Sequence, residues 1–158
     1  MKKQLEIAII KANSASYRGC EIYWLLGRNQ LEFIFKEVET FSSPPFVTTA
    51  KYQEVMLPVI NLEKYFGLEE KDENGLPRYL VVRSVNENKE MVKLIVQIPQ
   101  TLKIHKLETE FEPLQSTALP QNNADILGMY SLATDKLAVV PDFVGMSRSL
   151  QLRGNQDV

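Results

Sequence analysis

The residues that most often carry chemistry are scarce in this chain of 158 residues. It has one cysteine, Cys20, and one histidine, His105. A lone cysteine forms no internal disulfide, which fits a reducing compartment. A lone histidine excludes metal clusters built on several histidines, and two-histidine sites with them. No glycine pattern of the phosphate-cradling kind occurs, so nucleotide binding is not expected. No stretch approaches the ~18 apolar residues of a membrane helix. The start, Met1-Lys2-Lys3, is interrupted by Gln4 and Glu6, and Ile7–Ile10 is too short for a signal-peptide core. An excess of positive charge is missing too: 18 Lys and Arg stand against 20 Asp and Glu, a formal charge of −2. Nucleic acids and anionic membranes select basic patches, so neither is an expected partner. These absences make the cytoplasm the expected address, with no direct membrane insertion.

What remains is ordinary globular material, 44% hydrophobic and 24% charged. The length suits one domain or two small intertwined halves. Short apolar segments alternate with turn-rich clusters, the pattern of an all-β sandwich or barrel. Leu5–Ile10 reads as a strand or short helix. Glu21–Leu26 and Leu31–Phe35 read as strands flanking a hairpin turn at Gly27-Arg28-Asn29-Gln30. Alternation places Leu31, Phe33 and Phe35 on one face. Ser42-Ser43-Pro44-Pro45 interrupts the pattern. Val55–Ile60 follows with Pro58 inside it, which predicts an edge strand or a bulge. Asn61 is placed to cap a short helix over Leu62–Phe66 that stops at Gly67.

Glu69–Gly75 reads as an acidic loop. Arg78–Val85 and Met91–Ile98 form a predicted hairpin, whose second arm alternates most cleanly in the chain. Thr101–Ile104 is a further short strand, and Glu108–Asn123 a long connection. Ile126–Leu132 and Leu137–Val140 form a last hairpin. Asp142 is placed to cap a short helix through Met146. Gln151–Val158 reads as a frayed, disordered tail.

No catalytic constellation emerges. Cys20 with His105 is the sole support for an all-β enzyme or small-ligand binder, and Cys20 suits a small buried thiol better. Glu69, Glu70, Asp72 and Glu73 lack the regular oxygen-ligand spacing of a calcium loop. Tyr23, Trp24, Phe33 and Phe35 lack the positive charge of a base-stacking surface and read as core. No cofactor and no metal site are expected. The feature that invites a functional reading is Val55, Met56 and Pro58 on a predicted edge strand. An edge exposes unpaired backbone groups, and Met56 offers an adaptable apolar contact.

Particular stretches resemble the CheW family of chemotaxis coupling proteins. Ile22–Phe35, IYWLLGRNQLEFIF, is similar to the family's opening hairpin with Gly at the first turn, followed by Val38 at the strand exit. Met56–Gly67, MLPVINLEKYFG, is similar to its Pro-Val-hydrophobic-Asp-Leu run, short helix and Gly. Met91–Ile104, MVKLIVQIPQTLKI, resembles its strand pair. Ile126–Met146, ILGMYSLATDKLAVVPDFVGM, resembles its closing hairpin and helix. The family's Arg-Gly pair is absent, with Gln53-Glu54 in its place. Asn61 and Gln97 stand where the family has Asp.

The resemblance implies two intertwined five-stranded β-barrels of SH3 or OB type with short helices. An extension over 1–18 would precede the domain at 19–150, and a tail over 151–158 would follow. It implies an adaptor without enzymatic activity, a CheA-type histidine kinase bound through one barrel, and a chemoreceptor tip in the groove between barrels. Receptor arrays would then recruit the protein to the membrane. Val38, Phe41, Leu62 and Tyr130 would line that groove, beside Val55, Met56 and Pro58. The missing Arg-Gly leaves a second reading, a CheW-like module of another sensory or surface-motility pathway without standard receptor–kinase coupling.

Overall fold

The computed structural model describes residues 5–12, 17–43, 47–68, 78–98, 102–107, 112–113 and 118–155. The acidic stretch Glu69–Gly75 lies outside them. The strands are β1 (Leu5–Lys11), β2 (Glu21–Gly27), β3 (Leu31–Phe35), β4 (Thr40–Ser43), β5 (Val47–Tyr52) and β6 (Val55–Asn61). They continue as β7 (Arg78–Val85), β8 (Met91–Ile98), β9 (Leu102–Leu107), β10 (Glu112–Pro113), β11 (Ile126–Ala133) and β12 (Lys136–Pro141). The helices are α1 (Leu62–Tyr65) and α2 (Phe143–Asn155). The fold is all-β, in two sheets of six strands each where five were expected.

The first sheet runs β10-β11-β12-β2-β1-β9 and the second β3-β7-β8-β6-β5-β4. Every strand of the second sheet comes from the continuous stretch between β2 and β9, so one sheet is inserted within the other. β1 is a strand, and it sits between β2 and β9 with Ala8 and Ile10 fully buried. Within the expected N-terminal extension, β1 therefore adds a strand and core residues to the first sheet.

The β7–β8 and β11–β12 hairpins form as predicted. The hairpin expected at Gly27–Gln30 does not. β2 pairs with β1 and, in parallel, with β12, whereas β3 pairs with β7 in the other sheet. A 3-10 turn over Arg28–Gln30 carries the chain across, anchored by the Gly27 amide donating to Gln30 Oε1 at 2.9 Å. Leu31 and Phe33 also part company. A bulge between them pairs Leu31 with Val82 but Phe33 with Val81, and the extra residue turns the two onto opposite faces. Pro58 marks neither an outer edge nor a bulge. β6 pairs with β5 from Val55 to Pro58, then with β8 from Val59 to Asn61. A residue without an N–H stands where the strand changes partner.

Asn61 caps α1 as expected, its Oδ1 accepting the amides of Glu63 at 3.0 Å and Lys64 at 3.2 Å. α2 is longer than expected. Asp142 Oδ1 accepts the Gly145 amide, and the helix runs past Met146 to Asn155. Residues 151–155 thus belong to a helix rather than a disordered tail.

The main core lies between the sheets. Ile10, Ile22, Trp24 and Leu26 of the first meet Leu80, Val82, Leu94 and Val96 of the second. Trp24 stacks on Phe66, ring centroids 5.5 Å apart. A smaller cluster, Ala50, Tyr52, Leu57, Val81 and Ile95, fills the far side of the second sheet. β7 and β8 serve both clusters, which is why they are apolar on both faces. Asp125 ties the parts together. Its buried carboxyl accepts hydrogen bonds from Tyr65 of α1 and Ser149 of α2, and its carbonyl accepts the Asp142 amide.

Candidate functional site

The residues singled out from the sequence fall in separate places. Phe41, Met56 and Pro58 gather on the outer face of β4–β6, because Phe41 pairs with Thr49 and Thr49 with Pro58, while Met56 lies two residues along. Val55 lies on the opposite face with Tyr52. Val38 packs against the smaller cluster. Leu62 is only 2% exposed inside the main core, so it offers a partner no surface. Tyr130 belongs to the other sheet, opposite Ala138 and Pro113, with its ring over Gly128. Val38, Phe41, Leu62 and Tyr130 therefore do not line one groove.

A groove at the seam does exist, lined by other residues. It is open, about 870 Å³, and bounded by the β7–β8 hairpin end, Leu127, and the start of α2. Val85, Met91 and Leu127 are its exposed apolar side chains. An ion pair between Glu87 and Arg148 spans from the hairpin turn to α2. The hydrogen bond from Arg148 holds the Glu87 carboxyl below its ordinary value and the guanidinium above its own. Both groups are solvated, so this pair orients more than it stabilises.

Sequence reasoning missed Val85, Met91 and Leu127. One signal was present. Adjacent apolar pairs inside strands, Phe33-Ile34, Val55-Met56 and Ile126-Leu127, cannot both face one core when side chains alternate.

A second surface lies at the β5–β6 end of the second sheet. The β6–β8 ladder begins only at Val59, and alongside the earlier part of β6 a cleft of about 270 Å³ opens, lined by Tyr52, Gln53, Val55, Leu57, Met91 and Lys93. Phe33, Phe35 and Tyr52 cluster beside it, with centroid separations of 4.8 and 5.7 Å to Phe35. Glu32 receives Lys93 at 3.0 Å and Arg83 at 3.6 Å. Burial pushes the Glu32 carboxyl upward, but hydrogen bonds from Lys93 and Tyr52 and the charges of Lys93 and Arg83 outweigh it and hold it below its ordinary value. The turn joining β5 to β6 places both Gln53 and Glu54 at positive φ, +47° and +67°.

For reaction chemistry, Cys20 is half-buried against the main core, and His105 stands opposite Ile7 in the β1–β9 ladder. Among the described residues no group of three or more His, Cys, Asp or Glu side chains is placed to hold a metal ion. No described helix is long and apolar enough to cross a membrane.

Two interlocked β-sheets sharing one core, with a groove at their junction, define a CheW-like all-β fold. Among solved structures the chain is similar to the scaffolding protein TtCheW from Thermoanaerobacter tengcongensis, with a TM-score of 0.60 over 89% of this chain and 86% of that one. At 16% identity the likeness establishes the fold alone. No family model matches the chain, and no curated protein does.

Proposed function

We propose that this protein is a non-enzymatic adaptor of bacterial chemosensory signalling, binding a CheA-type histidine kinase regulatory domain, a chemoreceptor tip, or both. The observation that carries the reading is the CheW-like architecture with an open groove built from both sheets. Exposed apolar anchors with a polar, ion-paired rim suit an amphipathic helix laid in a groove. The contribution to signalling is positional: holding receptor and kinase in a geometry that biases the kinase. The address this implies is the cytoplasm, with recruitment to receptor arrays.

Purified protein titrated with a CheA-type regulatory domain and with a receptor-tip fragment tests the reading. Micromolar binding to at least one is expected. The absence of binding to both sinks it.

A second reading keeps the fold and assigns it to another sensory or surface-motility pathway. Gln53-Glu54 favours it, since the resemblance puts the family's missing Arg-Gly pair near these two turn residues. Replacing them, Gln53→Arg with Glu54→Gly, gains kinase binding on this reading. Kinase binding by the unaltered chain argues against it.

A further inference from the structure

The open end of the second sheet gathers apolar and cationic side chains on one face. Cross-strand register sets the face. Val85 stands opposite Met91, Arg83 opposite Lys93, Val81 opposite Ile95 and Phe33, and Tyr52 opposite Val55. Phe33, Val55, Val85 and Met91 are each more than half exposed there. Val55 and Met91 line the cleft at this end, and Phe33 lies beside its Tyr52 wall. Isolated apolar residues on a surface are ordinary, whereas a contiguous set around a cleft marks a contact surface.

The charge at its centre is unbalanced. Arg83 and Lys93 share a single carboxylate, Glu32. Of the described carboxylates nearby, Glu54 pairs with Lys51 at 3.3 Å and Glu87 with Arg148. Among the described residues, two cations against one anion leave one positive charge, on side chains that solvent and a partner can reach (Arg83 42% and Lys93 30% exposed). A carboxylate arriving from outside would complete the pairing through charge-assisted hydrogen bonds. The adjoining cleft, about 270 Å³, has room for one large apolar side chain between Val55, Leu57 and Met91. It exists because the β6–β8 ladder begins only at Val59, beside Pro58.

We infer that this face docks a protein segment presenting a carboxylate flanked by large apolar side chains. The carboxylate pairs with Arg83 and Lys93, and one apolar side chain enters the cleft beside Met91. The inference goes beyond the adaptor reading; Met91 borders both this cleft and the seam groove, whereas Val55 belongs to this cleft, so the Val55 variant separates the two. A chain that failed to bind kinase and receptor would still carry this surface.

The test uses short synthetic probes, a Gly-Ser-flanked Phe-Glu-Leu peptide and its Phe-Lys-Leu counterpart, titrated into the full chain and followed by NMR. The Glu peptide is expected to shift the Val55, Met91 and Lys93 resonances and to bind about tenfold tighter than the Lys peptide. Met91→Asp and Val55→Asp, each at a side chain more than half exposed, should remove that binding and leave the circular-dichroism spectrum and melting temperature unchanged. Lys93→Gln should remove the preference for Glu over Lys. Equal affinity for the two peptides, no shift at these residues, or undiminished binding by the Met91 and Val55 variants would overturn the inference.

Discussion

At the scale of single residues, the strain in the β5–β6 turn is the most direct target. Two-residue hairpin turns of this kind need positive φ at both central positions, which is why Asn-Gly and Asp-Gly dominate them. Gln53 and Glu54 both meet the demand with an L side chain. A residue held in the left-handed region costs about 1–2 kcal/mol, and glycine escapes most of that. Glu54→Gly should therefore stabilise the protein by about 1 kcal/mol, after the small loss of the solvated Lys51 pair. The measurement is the urea midpoint, rising at unchanged slope. A lowered midpoint would contradict the turn geometry.

Glu32 sets a second expectation at this scale. Its folded-state value lies below the ordinary one for a glutamate, so its contribution to stability is complete above the unfolded value. That contribution disappears as pH falls through the folded value. The stability difference between the native chain and Glu32→Gln should hold from pH 7 to about 5 and shrink below about 4.5. A difference that stayed constant down to pH 3 would show that Glu32 is not held by Lys93 and Arg83.

At the scale of elements, the Asn61 cap of α1 can be tested by substitution. Asn and Asp cap helices about equally well, because either side chain offers an oxygen to the first free amides. Asn61→Asp should leave the midpoint nearly unchanged. Asn61→Ala strands the Glu63 and Lys64 amides and should cost about 1 kcal/mol. Equal stability of all three would mean that the cap contributes nothing to α1.

The same element was legible before any coordinates, because a cap, a short apolar run and Gly67 are local signals. Strand positions were legible for the same reason, through alternation in β8 and the turn residues at Asn86–Lys89. Pairing was not. Nothing local to Gly27–Gln30 states that β2 and β3 enter different sheets, since that follows from distant partners, β12 and β7. Nor does LEFIF announce a bulge. One extra residue reverses the facing of everything beyond it, which moved Phe33 away from the core shared with Leu31. The contact surfaces stayed hidden for a related reason. The seam groove joins Leu127 and Val144 to Val85 and Met91. Only the interlocking of the sheets brings those residues together.

At the scale of the whole molecule, the inserted second sheet and the sheet that surrounds it share one core, so neither should unfold alone. The second sheet gives Leu80, Val82, Leu94 and Val96 to that core, and the residue that ends α1 gives the Phe66 ring. Removing the first sheet would expose all of them. Trp24 is the chain's sole tryptophan and lies in this core on Phe66, so its fluorescence reports the seam alone. Far-UV circular dichroism reports the strands of both sheets. In urea the two signals should trace one superimposable transition, the signature of two-state behaviour. Phe66→Ala should move both together, by about 3–5 kcal/mol, a large part of the about 5–15 kcal/mol that holds a domain of this kind folded. If the dichroism fell in a separate step while the tryptophan signal stayed native, the far side of the second sheet would be melting by itself. The seam would then be an interface between two bodies rather than a common core, and the groove it frames would change shape as they move.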